Sequence, residues 1–146
     1  MKHLALVTLL SAIFCFSSTS LAQCDAQKYT DLALADLPKD FNLVKTFRID
    51  GKGGDRKRME HSLILNSSTD YVIRLSSADG GSKGIIATLY DARHNKITST
   101  KTDNGFLKGL TYSCNLAGRY YLVLSFEGSQ KYCGAAVLGF KPNISN

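Results

Sequence analysis

Few residues of this 146-residue chain are of types that do catalytic chemistry. Two histidines follow the first 22 residues, His61 and His94, and nucleophilic catalysis needs such a base to be held by a third group. His94 lies in a charged turn, where a solvated histidine is expected, and His61 has no recognisable partner. Isolated histidines without HxxxH or CxxC spacing do not indicate zinc. We therefore predict no catalytic residue and expect that the protein is not an enzyme.

Three aspartates, Asp79, Asp91 and Asp103, fall in predicted loops, where a calcium site forms only if two loops meet. The chain has no DxDxDG spacing, and aspartate is an ordinary turn residue. We therefore expect no metal site and no cofactor.

Three cysteines, Cys24, Cys114 and Cys133, remain after the first 22 residues, and two of them should pair in an oxidising compartment. Cys114 closes the predicted sixth strand and Cys133 opens the eighth, which places them at opposite ends of the sheets, about 20 Å apart. A disulfide needs Cα atoms within about 7 Å. We therefore predict a bridge from Cys24, with Cys114 as its mate if the N-terminal helix caps that end.

The chain opens with a secretory leader. A cationic start at Met1-Lys2-His3 precedes an apolar run from Leu4 to Phe16, and small residues precede a cut after Ala22. The run is too short to span a membrane. Secretion or export to the periplasm is the main expectation. The alternative is a lipoprotein anchored through Cys24, and we expect membrane contact only in that case.

The charge of the chain is mildly basic. Loss of Lys2 with the leader leaves 17 basic against 12 acidic residues. One cluster stands out in the KGGDRKR stretch, and its members are Lys52, Arg56, Lys57 and Arg58. No aromatic residue interleaves these charges, so we expect no nucleic-acid binding. The preferred interpretation of the cluster is a solvated, Gly-rich loop. In the alternative, the four cations, together with Tyr121 as an aromatic contact, are the candidate ligand-facing residues, and a cell-surface polysaccharide or an envelope protein is the candidate partner.

The stretch from Gly118 to Phe140 organises the predicted fold. It reads as two strands joined by a short turn, with large apolar side chains at every second position and apolar residues on both faces, which indicates a central position. Upstream, Asp25 to Leu37 is the one helical candidate, ended by Pro38. Asp103-Asn104-Gly105 predicts a hairpin turn.

About eight short strands, spaced near twelve residues apart and separated by turn residues, predict an all-β fold. The expected architecture is an antiparallel, jelly-roll-like β-sandwich with a short N-terminal helix. We divide the chain into a leader at 1–22, an N-terminal helical segment at 23–42, a β-sandwich domain at 43–141 and a tail at 142–146.

Three pieces of this pattern resemble a known family. They are Asp70 to Leu75, Ala87 to Asp91 and Ala117 to Leu124, with the sequences DYVIRL, ATLYD and AGRYYLVL. Over about residues 43–140 the chain resembles the bacterial pre-peptidase C-terminal domain, and also small secreted β-sandwich proteins of Bacteroidetes-type bacteria. The resemblance implies a sandwich fold and an extracytoplasmic accessory role, and it carries no catalytic residue to this chain.

The sequence therefore favours a secreted, non-catalytic β-sandwich module with a binding or structural role in the cell envelope or secretome. The alternative is a small secreted hydrolase or a protease inhibitor. A hydrolase needs a nucleophile, a base and an orienting group on adjacent loops. An inhibitor needs a rigid exposed loop, and the glycines around residues 52–58 predict a flexible one.

Overall fold

The computed structural model describes residues 23–144, so the predicted leader and the last two residues of the predicted tail lie outside it. A helix, α1 (Ala26–Ala35), precedes the strands. The strands are β1 (Asn42–Asp50), β2 (Arg58–Leu65), β3 (Thr69–Ser77), β4 (Ile85–Tyr90), β5 (Lys96–Ser99), β6 (Lys101–Thr102), β7 (Gly105–Phe106), β8 (Gly109–Cys114), β9 (Gly118–Phe126) and β10 (Cys133–Pro142). A short 3₁₀ turn at Lys52–Gly54 joins β1 to β2.

Eight of these strands form two antiparallel sheets that share one core. Sheet A has the order β1-β10-β3-β8, and sheet B has the order β2-β9-β4-β5. Among these eight, the chain passes from one sheet to the other at every connection except β4 to β5, which is the strand order of a jelly roll. The predicted all-β, antiparallel sandwich with a short N-terminal helix is confirmed.

The core lies between the sheets and is formed by every second side chain of each strand, since successive side chains of a strand point to opposite faces. In β9 the inward positions are Tyr120, Leu122, Leu124 and Phe126, all buried. They meet Ile73 and Leu75 of β3 and Leu138 of β10, among other apolar side chains.

β9 and β10 are each central, as their two apolar faces predict, but they are central in different sheets. The expectation of two adjacent strands joined by a short turn is wrong in that respect, since residues 127–132 carry the chain from sheet B to sheet A. The outer face of β10 is apolar because α1 covers it, which buries Ala135 and Val137 completely.

α1 ends two residues before the predicted Leu37. Asp25 caps its start by accepting a hydrogen bond from the backbone N–H of Lys28. Leu37 then packs on β10 at Gly139, where an added Cβ would lie 2.7 Å from the Leu37 side chain. A side chain at position 139 would therefore displace the end of the Leu37 side chain.

The disulfide joins Cys24 to Cys133, with Cα atoms 5.3 Å apart, and Cys114 is a buried free thiol. The prediction that Cys24 takes part in a bridge is confirmed, and the prediction that Cys114 is its mate is wrong. Cys114 pairs with Thr69 at one end of β3, whereas Cys133 lies near Ser77 at the other end, so the predicted separation holds. The wrong assumption concerned the end of the sandwich at which the helix begins. Cys24, just before α1, lies beside Ile49, at the same end as Cys133.

The Asn-Gly turn forms the predicted hairpin as the small two-stranded sheet of β6 and β7. Thr100, which is fully buried, ends sheet B just before it. The Thr100 backbone N–H donates to the Ala87 carbonyl, and its hydroxyl accepts from the Ala87 N–H, both at 2.9 Å. The hairpin then leads from sheet B to β8 in sheet A.

Within residues 23–144, no helix is long and apolar enough to cross a membrane.

Candidate functional site

The two outer faces of the sandwich differ. α1 lies on the outer face of sheet A, whereas no helix among residues 23–144 covers the outer face of sheet B, which we term the open face. Its outward positions are Arg58, Glu60, Ser62, Ile64, Ile86, Thr88, Tyr90, Lys96, Ser99, Arg119, Tyr121, Val123 and Ser125. The open face therefore presents side chains of four strands in fixed register.

A stacked aromatic pair lies at the centre of the open face. The ring of His94, in the turn from β4 to β5, stacks on the ring of Tyr121 with 4.2 Å between centroids and 21° between planes. His94 Nε2 lies 3.5 Å from Glu60 Oε1, and Arg58 bonds the other oxygen of Glu60 at 3.2 Å. Tyr90 of β4 is the lateral neighbour of Tyr121. We term Tyr121, the His94 ring stacked on it and the neighbouring residue Tyr90 the aromatic platform, and Arg58 and Glu60 form its charged border.

The turn that carries His94 is held by Asp91. The Asp91 carboxylate accepts the backbone N–H groups of Arg93 and Asn95, both at 2.8 Å, and the Asn95 side chain at 2.9 Å. The bond from the Asn95 side chain, with these backbone bonds, lowers the pKa of Asp91. His94 adopts a left-handed backbone with φ of 61°, which is uncommon for a residue with a Cβ. The turn therefore directs the imidazole onto Tyr121.

A shallow depression of about 370 Å³ lies beside the aromatic platform, between β4, β9 and the β6–β7 hairpin. Its floor carries hydroxyl groups, since Thr88 and Ser99 lie 3.1 Å apart and Ser125 is on the neighbouring strand. Lys96 and Lys101 lie at its border, and Lys101 pairs with Glu127. Hydroxyls and ammonium groups of this kind hydrogen-bond sugar hydroxyls and carboxylates.

The predicted ligand-facing residues do not all lie together. Arg58 and Tyr121 are both on the open face, four register positions or about 13 Å apart along the strands. Lys52, Arg56 and Lys57 are exposed on the connection before β2, beyond the end of the face.

That connection forms a hydrogen-bonded turn. The Arg56 N–H donates to the Gly51 carbonyl, the Gly51 N–H donates to the Tyr132 carbonyl at 2.8 Å, and Gly54 lies close against the Tyr132 ring.

The two candidate histidines lie on opposite faces of sheet B. His61 points inward at the edge of the sandwich, where its ring lies 4.8 Å from that of Phe47. Its Nε2 is buried and has no hydrogen-bond partner. Burial, and then the charge of Lys45, lower the pKa of His61. His61 and His94 therefore do not belong to one site.

Cys114 belongs to a tyrosine cluster inside the sandwich. The Tyr120 hydroxyl donates to the Leu116 carbonyl at 2.7 Å, an arrangement that fixes the turn before β9 in the manner of a tyrosine corner. Tyr112 donates to the Tyr120 hydroxyl at 3.3 Å, and the Cys114 thiol lies 3.7 Å from it. Burial, with these neighbours, raises the pKa of Tyr120. The cluster positions β8 and β9.

The three loop aspartates are apart. Asp79 accepts hydrogen bonds from Ser129 and Gln130, and Asp91 binds its own turn. Among residues 23–144, no group of three or more His, Cys, Asp or Glu side chains is arranged to hold a metal ion.

His94 and Glu60 were not among the predicted site residues. In the structure Glu60 and Tyr121 lie on the outward faces of β2 and β9, and only the pairing of the two strands brings them near the turn of His94. Ser125 was not predicted as a site residue either, because its neighbours across the sheet depend on strand pairing.

Comparison with protein-family models finds no match, and comparison with curated proteins finds no similar sequence. Among solved structures, the fold is similar to the crystal structure of Aeromonas hydrophila PliG, a periplasmic lysozyme inhibitor of g-type lysozyme. The TM-score is 0.39 at 9% identity, over 69% of this chain and 82% of that chain. None of these findings bears on the resemblance to the pre-peptidase C-terminal domain, which stays a prediction.

Proposed function

We propose that this protein is an extracytoplasmic, non-catalytic binding module whose open face binds an anionic cell-surface polysaccharide. The observation that carries the proposal is the platform of His94, Tyr121 and Tyr90 on a sheet face that no helix of residues 23–144 covers. Aromatic faces pack against the apolar side of sugar rings while polar edges remain free to hydrogen-bond.

The charges of the open face favour an anionic ligand. Arg58, Lys96 and Arg119 contribute three positive charges, and Glu60 contributes one negative charge. The hydroxyls of Thr88, Ser99 and Ser125 add neutral partners beside them. A polysaccharide with carboxylate or sulfate groups has the ring faces, hydroxyls and charge that match this set.

The disulfide supports an extracytoplasmic location, because such bonds persist in oxidising compartments. It also opposes the lipid-anchor alternative, since the sulfur of Cys24 cannot carry a thioether-linked lipid while it is bonded to Cys133. N-terminal sequencing and intact mass of the exported protein test this. We expect Gln23 at the N-terminus, two hydrogens fewer than the reduced mass, and no acyl chains.

A polysaccharide array probed with the mature protein, residues 23–146, tests the function. We expect binding to anionic polysaccharides, weakened by added salt and by Arg58→Ala and Tyr121→Ala. The matched control is Arg48→Ala, which removes an exposed arginine from the strand β1 of the other sheet.

Two results would contradict the proposal. One is an array without binding, together with capture of an envelope protein through the open face. The other is hydrolysis of a peptide or ester that His61→Ala or His94→Ala abolishes, which would establish the enzyme alternative.

A further inference from the structure

A groove lies at one edge of the sandwich, where it borders the open face and shares Ser62 and Ile64 with it. β1 is the edge strand of sheet A and β2 is the edge strand of sheet B, and the two edges lie on the same side, as the contact of Phe47 with His61 shows. The groove between them has a volume of about 370 Å³, which is within the range of ligand sites.

One wall of the groove is the backbone of β2. Five consecutive residues, from Ser62 to Asn66, line it, although alternate side chains of a strand point to opposite faces. Consecutive residues line one surface only where the edge of the strand itself forms that surface. The groove therefore exposes the main chain of β2.

The register of β2 shows which backbone groups are free. The Phe126 N–H donates to the Lys57 carbonyl, so these two residues form a hydrogen-bonded pair. Hydrogen-bonded pairs alternate with non-hydrogen-bonded pairs along an antiparallel ladder, and the register of β2 with β9 has no shift. Lys57, Met59, His61, Leu63 and Leu65 therefore bond β9. Ser62 and Ile64 direct their N–H and C=O groups away from β9, into the groove.

The floor of the groove is apolar and its borders expose large apolar side chains. Leu63, Leu65 and Leu138 form the floor together with Tyr71 and Phe140. Ile64 is 69% exposed on one border and Val44 is 50% exposed on the other. Long edge strands with exposed apolar residues are ready templates for pairing with another chain.

The charge of the groove is that of one residue. Lys45 is the single charged side chain among the residues that line it. Its Nζ lies 5.3 Å from the centroid of the Phe47 ring, and no carboxylate of residues 23–144 forms an ion pair with it. An occupant that carries a carboxylate near Lys45 complements this charge.

We propose that this groove binds an extended peptide segment of a partner protein, which adds a strand to the free edge of β2 and places a carboxylate opposite Lys45. The backbone groups of Ser62 and Ile64 supply main-chain hydrogen bonds, and the apolar floor receives alternate side chains of the peptide. The carboxylate fixes its register. The groove shares only Ser62 and Ile64 with the open face and is lined by none of His94, Tyr121 and Tyr90, so this proposal does not depend on polysaccharide binding.

A library of random seven-residue peptides displayed with free carboxyl termini, panned on the mature protein, tests the proposal. We expect enrichment of alternating β-branched residues with Asp, Glu or the terminal carboxylate at a fixed position. A synthetic copy of an enriched peptide should lose at least about tenfold in affinity when alternate backbone nitrogens are methylated, because strand pairing is then blocked. This readout requires no change to the protein.

Two variants locate the site. Ile64→Pro removes a groove-facing N–H and no bond to β9, so the fold should persist while peptide affinity falls at least about tenfold. Lys45→Met should lower the affinity for the peptide. In this variant, replacing the carboxylate of the peptide with a neutral group should not lower the affinity further, because the two changes remove the same interaction. Arg48→Met, an exposed cation on the same strand, is the matched control and should bind the peptide as the unchanged protein does.

Three outcomes would overturn the proposal. The first is a library without enriched sequences. The second is an enriched peptide whose binding survives backbone methylation and ignores Lys45→Met. The third is a dimer that Ile64→Pro dissociates and that excludes peptides, since a second copy of the chain would then fill the groove.

Discussion

His94 stacks on Tyr121 across two elements of sheet B, with ring centroids 4.2 Å apart and planes inclined by 21°. The contact joins the turn after β4 to β9, and the contact of His94 with Glu60 on β2 adds a third element. Because Asp91 holds the turn and the stack holds the ring, the open face has a fixed arrangement before any ligand is present. Such preorganisation lowers the entropy cost of binding.

We predict that His94→Ala lowers the free energy of unfolding by about 1 kcal/mol, because it removes the stack and keeps the unfavourable left-handed backbone. Urea unfolding followed by tyrosine fluorescence measures this. Arg93→Ala, one residue earlier in the same exposed turn, is the control and should change stability by less than about 0.5 kcal/mol. Equal effects of the two substitutions would show that the stack contributes nothing.

We predict that loss of the disulfide costs about 3 to 5 kcal/mol, since Cys24 and Cys133 are 109 residues apart and the bridge restricts a long loop of the unfolded chain. Urea midpoints of Cys133→Ala and of the unchanged protein with reductant should agree. The urea midpoint of Cys114→Ala should still fall when reductant is added, as that of the unchanged protein does. If Cys114→Ala instead removed that sensitivity to reductant, Cys114 would be part of the bridge and the pairing of Cys24 with Cys133 would be wrong.

We predict that Tyr120→Phe lowers the free energy of unfolding by about 1 to 2 kcal/mol, because it deletes the 2.7 Å bond to the Leu116 carbonyl. Thermal unfolding by circular dichroism measures the loss. Tyr112→Phe is the matched control, since it deletes only the 3.3 Å bond to Tyr120, and it should cost less than half as much. A larger effect from Tyr112 would mean that the tyrosine corner does not fix this turn.

We predict that stability falls as pH falls below the ordinary histidine pKa of 6.5 because of His61. Burial lowers its pKa in the folded protein, so the unfolded chain binds the proton more readily, and its contribution to stability is complete above pH 6.5 and lost progressively below it. Unfolding midpoints between pH 5 and 8 measure the slope. His61→Gln should flatten it, and Lys45→Met should lessen it by removing the second cause. An unchanged slope in His61→Gln would contradict this assignment.

The sandwich was predictable because large apolar side chains recur at every second position in β9 and β10, both strands have apolar residues on both faces, and turn residues separate the remaining strands. Partners of the strands were not predictable, since alternation reports which face is buried and not which strand lies alongside. This is why Gly118 to Phe140 read as one pair, although its halves lie in different sheets.

The disulfide illustrates the same limit. Strand lengths correctly placed Cys114 and Cys133 far apart. The partner of Cys24, however, depends on the end of the sandwich at which the helix begins, and no local sequence pattern encodes that.

The candidate site shows the same limit. Arg58 and Tyr121 were identified from residue type, but Glu60 and His94 join them only through strand pairing and the Asp91 turn.

Amide chemical-shift mapping of the mature protein, with an oligosaccharide of the polysaccharide that binds most strongly on the array, shows where the ligand contacts the protein. We expect the largest shifts in β9 between Arg119 and Ser125 and in the turn around His94, and we expect these shifts to be lost in Tyr121→Ala. Shifts confined to α1, to the outer face of sheet A or to the connection at residues 51–57 would contradict the proposal that the open face binds the ligand.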